Sequence, residues 1–287
     1  SSKFHSTQQG IHTVQGFGGT LRVTYARVEF CGQRGVLGSY CLHLHLLGHC
    51  PTCELVGNAV YESHQFGITI HGTHDALVHG NTIFNARGSV IYHEEANEMN
   101  NTVSDNVIFC TTVPTCRGKL DSGLYMIGMS NHILGNRISQ YQNTLFTPSN
   151  GRGNGVAWGK VCPANTPYAT MRGNVGHGGG RFGLYLDNQY ARAVRLDDDG
   201  YAISGTCDGH LPDGTDNGQL TLVEDALEYH QLFIGHYSMG DVQHLRYTSV
   251  NNAHHLYWKV SKDFALTMNS NGNGTATDAA PAPKVSP

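Results

Sequence analysis

The sequence contains little charge and lacks any long apolar run. Only 14% of its 287 residues are charged, and the formal net charge is −4. A nucleic-acid-binding domain carries a basic patch, so this balance predicts no nucleic-acid partner. A bilayer span needs roughly 20 consecutive apolar residues, and no run approaches that length, so we expect no membrane span. The start also lacks a signal-peptide pattern and is abrupt, so we expect a processed product or a fragment of a longer protein.

A short phrase that contains asparagine occurs three times, at residues 54–61, 76–84 and 101–109. The shared asparagines lie 23 and 25 residues apart, at Asn58, Asn81 and Asn106. A period of about 20–50 residues indicates a repeat architecture. Each copy predicts two short strands joined by a turn, with no amphipathic helix between copies. Since one copy cannot bury its apolar row alone, successive copies must stack. The sequence therefore predicts an all-β, right-handed parallel β-helix.

Later copies of the phrase are separated by insertions. Asn136 and Asn174 continue the series after gaps of 30 and 38 residues. We predict a single β-helix domain over residues 1–268, with loops of the kind that often form the binding face of a solenoid. The insertions lie near residues 111–122, 148–167 and 195–219. Residues 269–287 are rich in Gly, Asn, Ala and Pro, which is typical of a flexible tail or linker.

The turn residues of the repeat follow from backbone geometry. A coil must turn sharply between sheets, which requires a positive φ at the corner. Gly and Asn adopt that conformation at the lowest cost. Asparagines at the same corner of successive coils can also bond to one another as a ladder. We therefore assign the repeated asparagines to the architecture and not to the chemistry.

The eight cysteines form an even set, which favours disulfides in an oxidising compartment over free thiols. The pattern leaves the connectivity open, although a Cys110–Cys116 bond would close one short loop. Asn100 and Asn273 fit the acceptor pattern for N-glycosylation. These features favour an extracellular or cell-surface protein.

Two rows of side chains are predicted on the outer face of the stacked strands. Residues alternate between faces along a strand, and stacked strands lie about 4.8 Å apart, so neighbours in a row nearly touch. With Ile68 and Ile70 inside, the first row contains His43, Thr69, Tyr92, Tyr125 and Tyr185. The second row contains His45, His71, Glu94, Ile127 and Asp187. A register slip of one residue would turn a row inward.

The aromatic residues of these coils suit a saccharide. Aromatic rings pack on the apolar faces of sugars while polar groups fix the hydroxyls. The candidates for carbohydrate binding are Tyr92, Tyr125, Tyr185 and, in a coil with a long insertion, Trp158. The alternative is a cross-strand ladder of rings that only stabilises the sheet, by about 0.2–1 kcal/mol per pair.

The acidic residues supply one candidate chemistry. Glu94 with Glu95, or Glu94 with Asp187, has the two carboxylates that glycoside hydrolysis uses. Adjacent residues on a strand face opposite ways, so Glu94 and Glu95 form a poor pair unless the strand has ended. Charged residues that follow a strand are usually just solvated.

The histidines supply a second candidate chemistry. His43, His45 and His71, with His93 if the register slips, have the side chains to hold a divalent metal ion or to act as acid–base groups. His43 and His45 with Cys50 and Cys53 are also four zinc ligands by type, although cysteines bridge in an oxidising setting. The candidate catalytic residues are therefore His43, His45, His71, Glu94 and Asp187.

The run from Phe30 through Cys110 resembles a known family. Phe30-Cys-Gly-Gln33, then His43-Leu-His-Leu-Leu-Gly48 and the Asn-bearing coils, is similar to the β-helix region of the cell-migration-inducing hyaluronidases and fibrocystin-like proteins. The resemblance covers roughly residues 20–140, and the His-x-His segment is its most specific part. It implies an extracellular or cell-surface β-helix that meets glycans, hyaluronan in the hyaluronidase branch. The family also includes large receptor-like proteins for which no catalysis is assumed.

Two hypotheses of function follow. The first is an extracellular β-helix that binds a hyaluronan-like polysaccharide along the outer rows, with hydrolysis at the acidic and histidine residues as its enzymatic form. The second is a non-catalytic structural module of an extracellular filament, coat or large receptor-like protein. Its partners would be further copies of itself or the larger protein to which it is attached.

Overall fold

The computed structural model describes residues 13–16, 18–95, 97–111, 116, 118, 121–128, 130–147, 168–189, 196–201, 221–240 and 242–259. Within these ranges the regular elements are 25 β-strands. The predicted all-β fold is therefore confirmed. In the same part of the chain there is no helix with the length and apolar character to cross a membrane.

The strands form three sheets, which we call sheets I, II and III. Sheet I contains β1 (Thr13–Gln15), β4 (Leu42–His49), β7 (Ile68–His74), β10 (Ile91–His93), β13 (Ser122–Tyr125), β16 (Asn143–Thr147), β19 (Phe182–Gln189), β22 (Ile234–Gly240) and β25 (His254–Lys259). Sheet II contains β2 (Arg22–Thr24), β5 (Glu54–Val56), β8 (Leu77–His79), β11 (Thr102–Ser104), β14 (His132–Leu134), β17 (Thr170–Arg172), β20 (Thr221–Glu224) and β23 (Val242–Leu245). Sheet III contains β3 (Arg27–Glu29), β6 (Ala59–Tyr61), β9 (Thr82–Phe84), β12 (Val107–Phe109), β15 (Arg137–Ser139), β18 (Val175–His177), β21 (Leu227–Tyr229) and β24 (Thr248–Val250).

Each coil takes one strand from each sheet and pairs it with the matching strands of the coils before and after it. Every third strand is therefore a neighbour, and the pairing is parallel throughout, as in β4–β7, β5–β8 and β6–β9. Stacking in this order makes the right-handed parallel β-helix that the repeat predicts.

The core lies inside the coils, where one aliphatic row from each sheet meets the others. In sheet I the inward row includes Leu42, Ile68, Ile91, Leu124, Leu145 and Leu184. In sheet III it includes Val60, Ile83, Ile108 and Ile138. These side chains are almost fully buried. The tertiary structure therefore confirms the assignment of Ile68 and its counterparts to the interior.

The repeated asparagines form a buried ladder at the corner between sheets II and III. The Asn58 side-chain amide donates to Asn81 Oδ1 at 3.0 Å, and Asn81 donates to Asn106 Oδ1 at 2.9 Å. The same bond continues through Asn136 to Asn174. The structure confirms the predicted ladder. Of the two residue types expected to have the positive φ, glycine has it and the repeated asparagines do not. The positive φ occurs one position earlier in each coil, at Gly57, Gly80, Asp105, Gly135 and Gly173.

Three disulfides tie the described coils. Cys110 is bonded to Cys116, as predicted. Cys31 is bonded to Cys41. Cys50 is bonded to Cys53. The last bond excludes Cys50 and Cys53 as zinc ligands, because both thiols are consumed.

Most of the predicted insertions lie outside the described residues, and so does the predicted tail, 269–287. The coil between Asn136 and Asn174 was expected, but its strand in sheet I was not identified from the sequence. That strand is β16, which pairs with β13 and β19.

Candidate functional site

The predicted first outer row of sheet I exists in the strand register. His43 pairs with Thr69, Thr69 with Tyr92, and Tyr92 with Tyr125. The row continues through Tyr185, as predicted, and also contains Phe146, Tyr237 and Tyr257, which the sequence did not place there. The part that we call the aromatic row is Tyr92, Tyr125, Phe146, Tyr185, Tyr237 and Tyr257.

Neighbouring rings in the aromatic row touch without a break. The ring centroids lie 5.0 Å apart for Tyr92 and Tyr125, and 5.9 Å apart for Tyr125 and Phe146. Beyond Phe146 the rings become nearly parallel. The ring centroids lie 4.7 Å apart for Phe146 and Tyr185, and 4.7 Å apart for Tyr185 and Tyr237. Tyr257 stacks on Tyr237 at 4.9 Å with an interplanar angle of 4°.

The two ends of the aromatic row differ in exposure. Tyr92 and Tyr125 are each only 6% exposed. The sequence placed both rings on an accessible outer face, and that expectation is wrong because other apolar side chains cover them. Their cluster contains Met99, Ile127 and Phe146, with Phe66, Tyr185 and Tyr201 packed against it. At the other end Tyr257 is 45% exposed.

A groove of about 540 Å³ runs along the exposed end of the row. Its lining includes Tyr185, Tyr237 and Tyr257. Arg181 and the exposed ring of Phe233 also line it. The Arg181 guanidinium lies 4.7 Å from the Phe182 ring centroid. The groove thus combines flat apolar surface with a cation.

A second group of side chains lies at the other end of sheet I, and we call it the histidine–glutamate cluster: His43, His45, His71, Glu94 and Glu95. His45 pairs directly with His71 in the register, as the second predicted row requires. His43 lies two residues before His45 on the same face of β4, since side chains alternate along a strand. Candidate ligand atoms of the three histidines lie within 4.8 Å of one another.

Both glutamates reach the same imidazole. Strand β10 ends at His93, so the alternation of faces ends there and the adjacent carboxylates can turn to one side. Glu94 Oε2 lies 3.2 Å from His71 Nδ1, and Glu95 Oε1 lies 3.4 Å from His71 Nε2. Glu94 Oε2 also lies 3.7 Å from His43 Nε2. The strand end brings together a pair that an extended strand would separate.

Tyr40 joins the cluster to the aromatic row, and sequence analysis missed it. Its hydroxyl donates to Glu94 Oε1 at 2.8 Å. Its ring lies 4.9 Å from Phe66, whose own ring lies 4.3 Å from Tyr92. Tyr40 and Glu94 are 54 residues apart in sequence, and Tyr40 precedes its strand, so no periodic pattern points to this contact.

Glu98 holds the segment that carries the two glutamates, and no sequence pattern pointed to this role. The side chain is fully buried, and Glu98 Oε1 accepts from the backbone N–H groups of Glu95 and Gly72. Those bonds connect the residues after β10 to β7. Glu98 therefore positions Glu94 and Glu95 against His71.

Burial and the charges of neighbouring groups shift the pKa values of the side chains in the cluster. Burial raises the pKa of Glu94, although the His71 charge and the Tyr40 hydrogen bond act against that shift. Burial alone would lower the pKa of His71, but the hydrogen bond to Glu95 and the charges of the surrounding carboxylates raise it. Burial and the neighbouring His71 lower the pKa of His45. Glu94 is thereby favoured as a proton donor.

His93, the alternative histidine ligand of the sequence analysis, does not join this cluster. His93 is fully buried and pairs with the inward-facing Ile70, so the register has not slipped. The side chain of Asp187 lies outside the described residues, so the pairing of Glu94 with Asp187 stays a prediction.

Of the three other predicted positions, Asn100, Trp158 and Asn273, one lies within the described residues. Asn100 is exposed at a corner with φ 57°, as a glycosylation acceptor needs to be. Trp158 and Asn273 lie outside the described residues.

Comparisons with known proteins find relatives that are much longer than this chain. Fibrocystin-L of Homo sapiens is 26% identical over 193 residues, which are 65% of this chain and 4% of that protein. Fibrocystin-L of Mus musculus is 28% identical over 177 residues, 60% of this chain and 4% of that protein. A G8 domain-containing protein of Dictyostelium discoideum is 35% identical over 85 residues, 29% of this chain and 6% of that protein. The chain thus corresponds to a small part of each.

A family model described as CEMIP beta-helix matches residues 8–190, more than half of the chain. The match includes the whole histidine–glutamate cluster and the aromatic row as far as Tyr185, whereas Tyr237 and Tyr257 lie beyond it. Together with three disulfides, it marks a β-helix of extracellular type. The chain belongs to the CEMIP beta-helix family.

Proposed function

We propose that this protein is an extracellular or cell-surface module that binds a hyaluronan-like polysaccharide on the outer face of sheet I. The observation that supports this most directly is the unbroken series of ring contacts from Tyr40, beside Glu94, to the exposed Tyr257. It connects a groove suited to sugar rings with a cluster suited to acid–base chemistry.

The groove has the chemistry of a site for an acidic sugar chain. Flat rings at Tyr185, Tyr237 and Tyr257 present apolar surface of the kind on which pyranose faces pack. Arg181 supplies a guanidinium whose fork geometry matches a carboxylate. The buried tyrosines, Tyr92 and Tyr125, serve mainly to fix the row and do not contact the ligand directly in this proposal.

Hydrolysis at the histidine–glutamate cluster is the second part of the proposal. Glu94, with its raised pKa, would donate a proton to the glycosidic oxygen. Glu95 would act as the second carboxylate, either as nucleophile or as the base that activates water. His71 lies between the two carboxyl groups, and its imidazole would stabilise whichever of them carries the negative charge at each step.

Binding is tested by titrating size-defined hyaluronan oligosaccharides and, separately, neutral glucans into the protein in a calorimeter. Tyr237→Ala is expected to weaken binding about tenfold, since the loss of one stacking contact costs up to roughly 1.4 kcal/mol. Tyr229→Ala is the matched control, because Tyr229 belongs to the same coil but to sheet III. Equal affinity of the wild type and Tyr237→Ala for the oligosaccharides would show that the groove is not the binding site.

Hydrolysis is tested by incubating the protein with long hyaluronan and sizing the products. Shortening by the wild type that is abolished in Glu94→Gln and reduced in Glu95→Gln would support the assigned roles. Shortening that persists in Glu94→Gln would overturn the assignment of the acid. Intact hyaluronan in every sample would limit the proposal to binding.

A structural module is the second candidate function, and one observation favours it. The relatives named Fibrocystin-L are proteins of which this chain matches only 4%. A domain that is a small part of a large chain can serve as a spacer or attachment unit through end-to-end contacts between β-helices. The absence of glycan binding, with fibres seen by electron microscopy, would select this function over the first.

A further inference from the structure

We propose that His43, His45 and His71 bind one divalent transition-metal ion, with zinc as the metal that best fits the ligand set. This inference is independent of glycan binding, because the groove and the three imidazoles lie at opposite ends of sheet I. It adds a resident ion to the histidine–glutamate cluster, in which the proposed function assigns roles to Glu94, Glu95 and His71.

The backbone register brings the three imidazoles together. His45 lies directly beside His71 on the paired strands β4 and β7, and His43 lies two residues before it on the same face. The His45 and His71 ring centroids lie 4.8 Å apart, and the His43 and His45 centroids lie 4.9 Å apart. The ligand nitrogens approach within 4.8 Å of one another without any movement of the strands.

The hydrogen bonding of His43 presents a ligand atom to the cluster. His43 Nδ1 lies 3.0 Å from the Gly38 carbonyl oxygen. A carbonyl can only accept, so Nδ1 carries the proton and Nε2 carries the lone pair. An imidazole that donates one N–H to a backbone carbonyl and directs its other nitrogen to the ion is the usual arrangement of a histidine metal ligand. His43 is fully buried, so this orientation is fixed.

Buried polar atoms face the same space. Glu94 Oε2 and His71 Nδ1 are both buried and lie 3.2 Å apart, but their geometry makes no hydrogen bond within the described part of the chain. Leaving such atoms unsatisfied is costly. A cation among the imidazole nitrogens would be coordinated by His71 directly. The positive charge of the cation would stabilise the Glu94 carboxylate. Glu95 and Glu98 add negative charge around the same point.

The ligand types select the metal. Three imidazoles suit zinc, copper, nickel or cobalt, whereas calcium and magnesium take oxygen ligands. Tetrahedral zinc with Zn–N distances near 2.0–2.1 Å would place the nitrogens about 3.3 Å apart, so the side chains would close inward by roughly 1 Å. Three protein ligands would leave a fourth position open, and Glu94 Oε2 lies beside the ligand nitrogens, 3.2 Å from His71 Nδ1.

The test is metal titration of the full chain after stripping with a chelator. Zinc is expected to bind at one equivalent in a calorimeter. Cobalt(II) is expected to give the intense visible absorption of a four-coordinate site without a thiolate band, since the described cysteines are bonded in pairs. His45→Ala is expected to weaken zinc binding at least about 100-fold.

Two further variants keep the result interpretable. His79→Ala is the control, because His79 lies on sheet II outside the cluster, and it should bind zinc as the wild type does. His45→Gln retains most of the side-chain volume, so a parallel loss there excludes misfolding as the cause. Binding that is absent in the wild type, or unchanged in both His45 variants, would overturn the proposal. Glycan affinity in the same samples reports on the groove separately.

Discussion

Tyr40 illustrates what a single residue contributes to the candidate site. A hydrogen bond to the charged form of a carboxyl group stabilises that form and lowers its pKa. The Tyr40 hydroxyl makes such a bond to Glu94 while burial acts in the opposite direction. The charge state of Glu94 at neutral pH therefore depends on both contributions.

Removal of that hydroxyl should raise the pKa of Glu94 further. In Tyr40→Phe the ring contact with Phe66 remains and only the donor is lost, so the pKa of Glu94 is expected to rise. Titration of ¹³C-labelled glutamate side chains by NMR measures it. Tyr61→Phe, far from the cluster on sheet III, is the control. A pKa of Glu94 that stays the same in Tyr40→Phe would show that the bond does not act on the carboxylate.

His236 provides a second case in which one residue departs from the pattern of its neighbours. It is fully buried at an inward position of sheet I, between Leu184 and Leu256 in the register. Its ring contacts His244, at 3.3 Å between Nε2 atoms. Burial lowers the pKa of both histidines, that of His244 to about 4.

Acid should therefore destabilise the protein through these histidines. Below a pH of about 6.5 the unfolded chain binds protons that the folded core excludes, so the unfolding free energy falls as the pH drops from 6.5 towards 4. His236→Leu is expected to flatten this dependence. Burial raises the pKa of Glu228, which acts in the opposite direction above pH 4.5, but it is common to both proteins and cancels in the comparison. Denaturant unfolding from pH 4 to 7 measures the slopes, and equal slopes would contradict the account.

The corner between sheets II and III shows how an element is specified. Asn81 Nδ2 donates to the Leu55 carbonyl and to Asn106 Oδ1, while its own Oδ1 accepts from Asn58. A positive φ at the preceding residue, such as Gly80, turns the chain. One residue makes the turn and the next makes the bonds, which is why the pair recurs.

Asn81→Ala should lower the unfolding free energy by about 3 kcal/mol. The substitution leaves the Leu55 carbonyl and the Asn58 N–H buried without their partners, and each orphaned group costs about 1–3 kcal/mol. Thr82→Ala, at the next and exposed position of β9, should change it by less than about 0.5 kcal/mol. Chemical denaturation of the three proteins measures the difference. A loss in Asn81→Ala no larger than in the control would contradict the ladder as a stabilising element.

The strands also show which parts of the site the sequence could predict. The period and the alternation placed His45 beside His71, and Tyr92 beside Tyr125, because both depend only on register. They could not show that β10 ends at His93, which turns Glu95 towards His71. Phe146 was missed because its coil lacks the Gly-Leu-Tyr pattern used for alignment.

The burial of a side chain depends on contacts across the whole molecule, and burial is the property that the sequence predicted least well. Tyr92 and Tyr125 are on the outer face of sheet I as expected, yet they are covered by Met99, Ile127 and side chains from more distant segments. Tyr201 reaches the same surface from a late part of the chain, where its hydroxyl donates to Asp75 at 2.6 Å. No periodic pattern contains such contacts.

The central claim concerns the whole solenoid: a sugar chain binds along the outer face of sheet I at the exposed end of the aromatic row. Calorimetric affinity for hyaluronan oligosaccharides, compared among wild type, Tyr237→Ala, Tyr257→Ala and the control Tyr229→Ala, tests it most directly. The account predicts binding by the wild type and the control, with about tenfold weaker binding by each of the other two. Absence of binding by the wild type, or equal affinity in all four proteins, would contradict it.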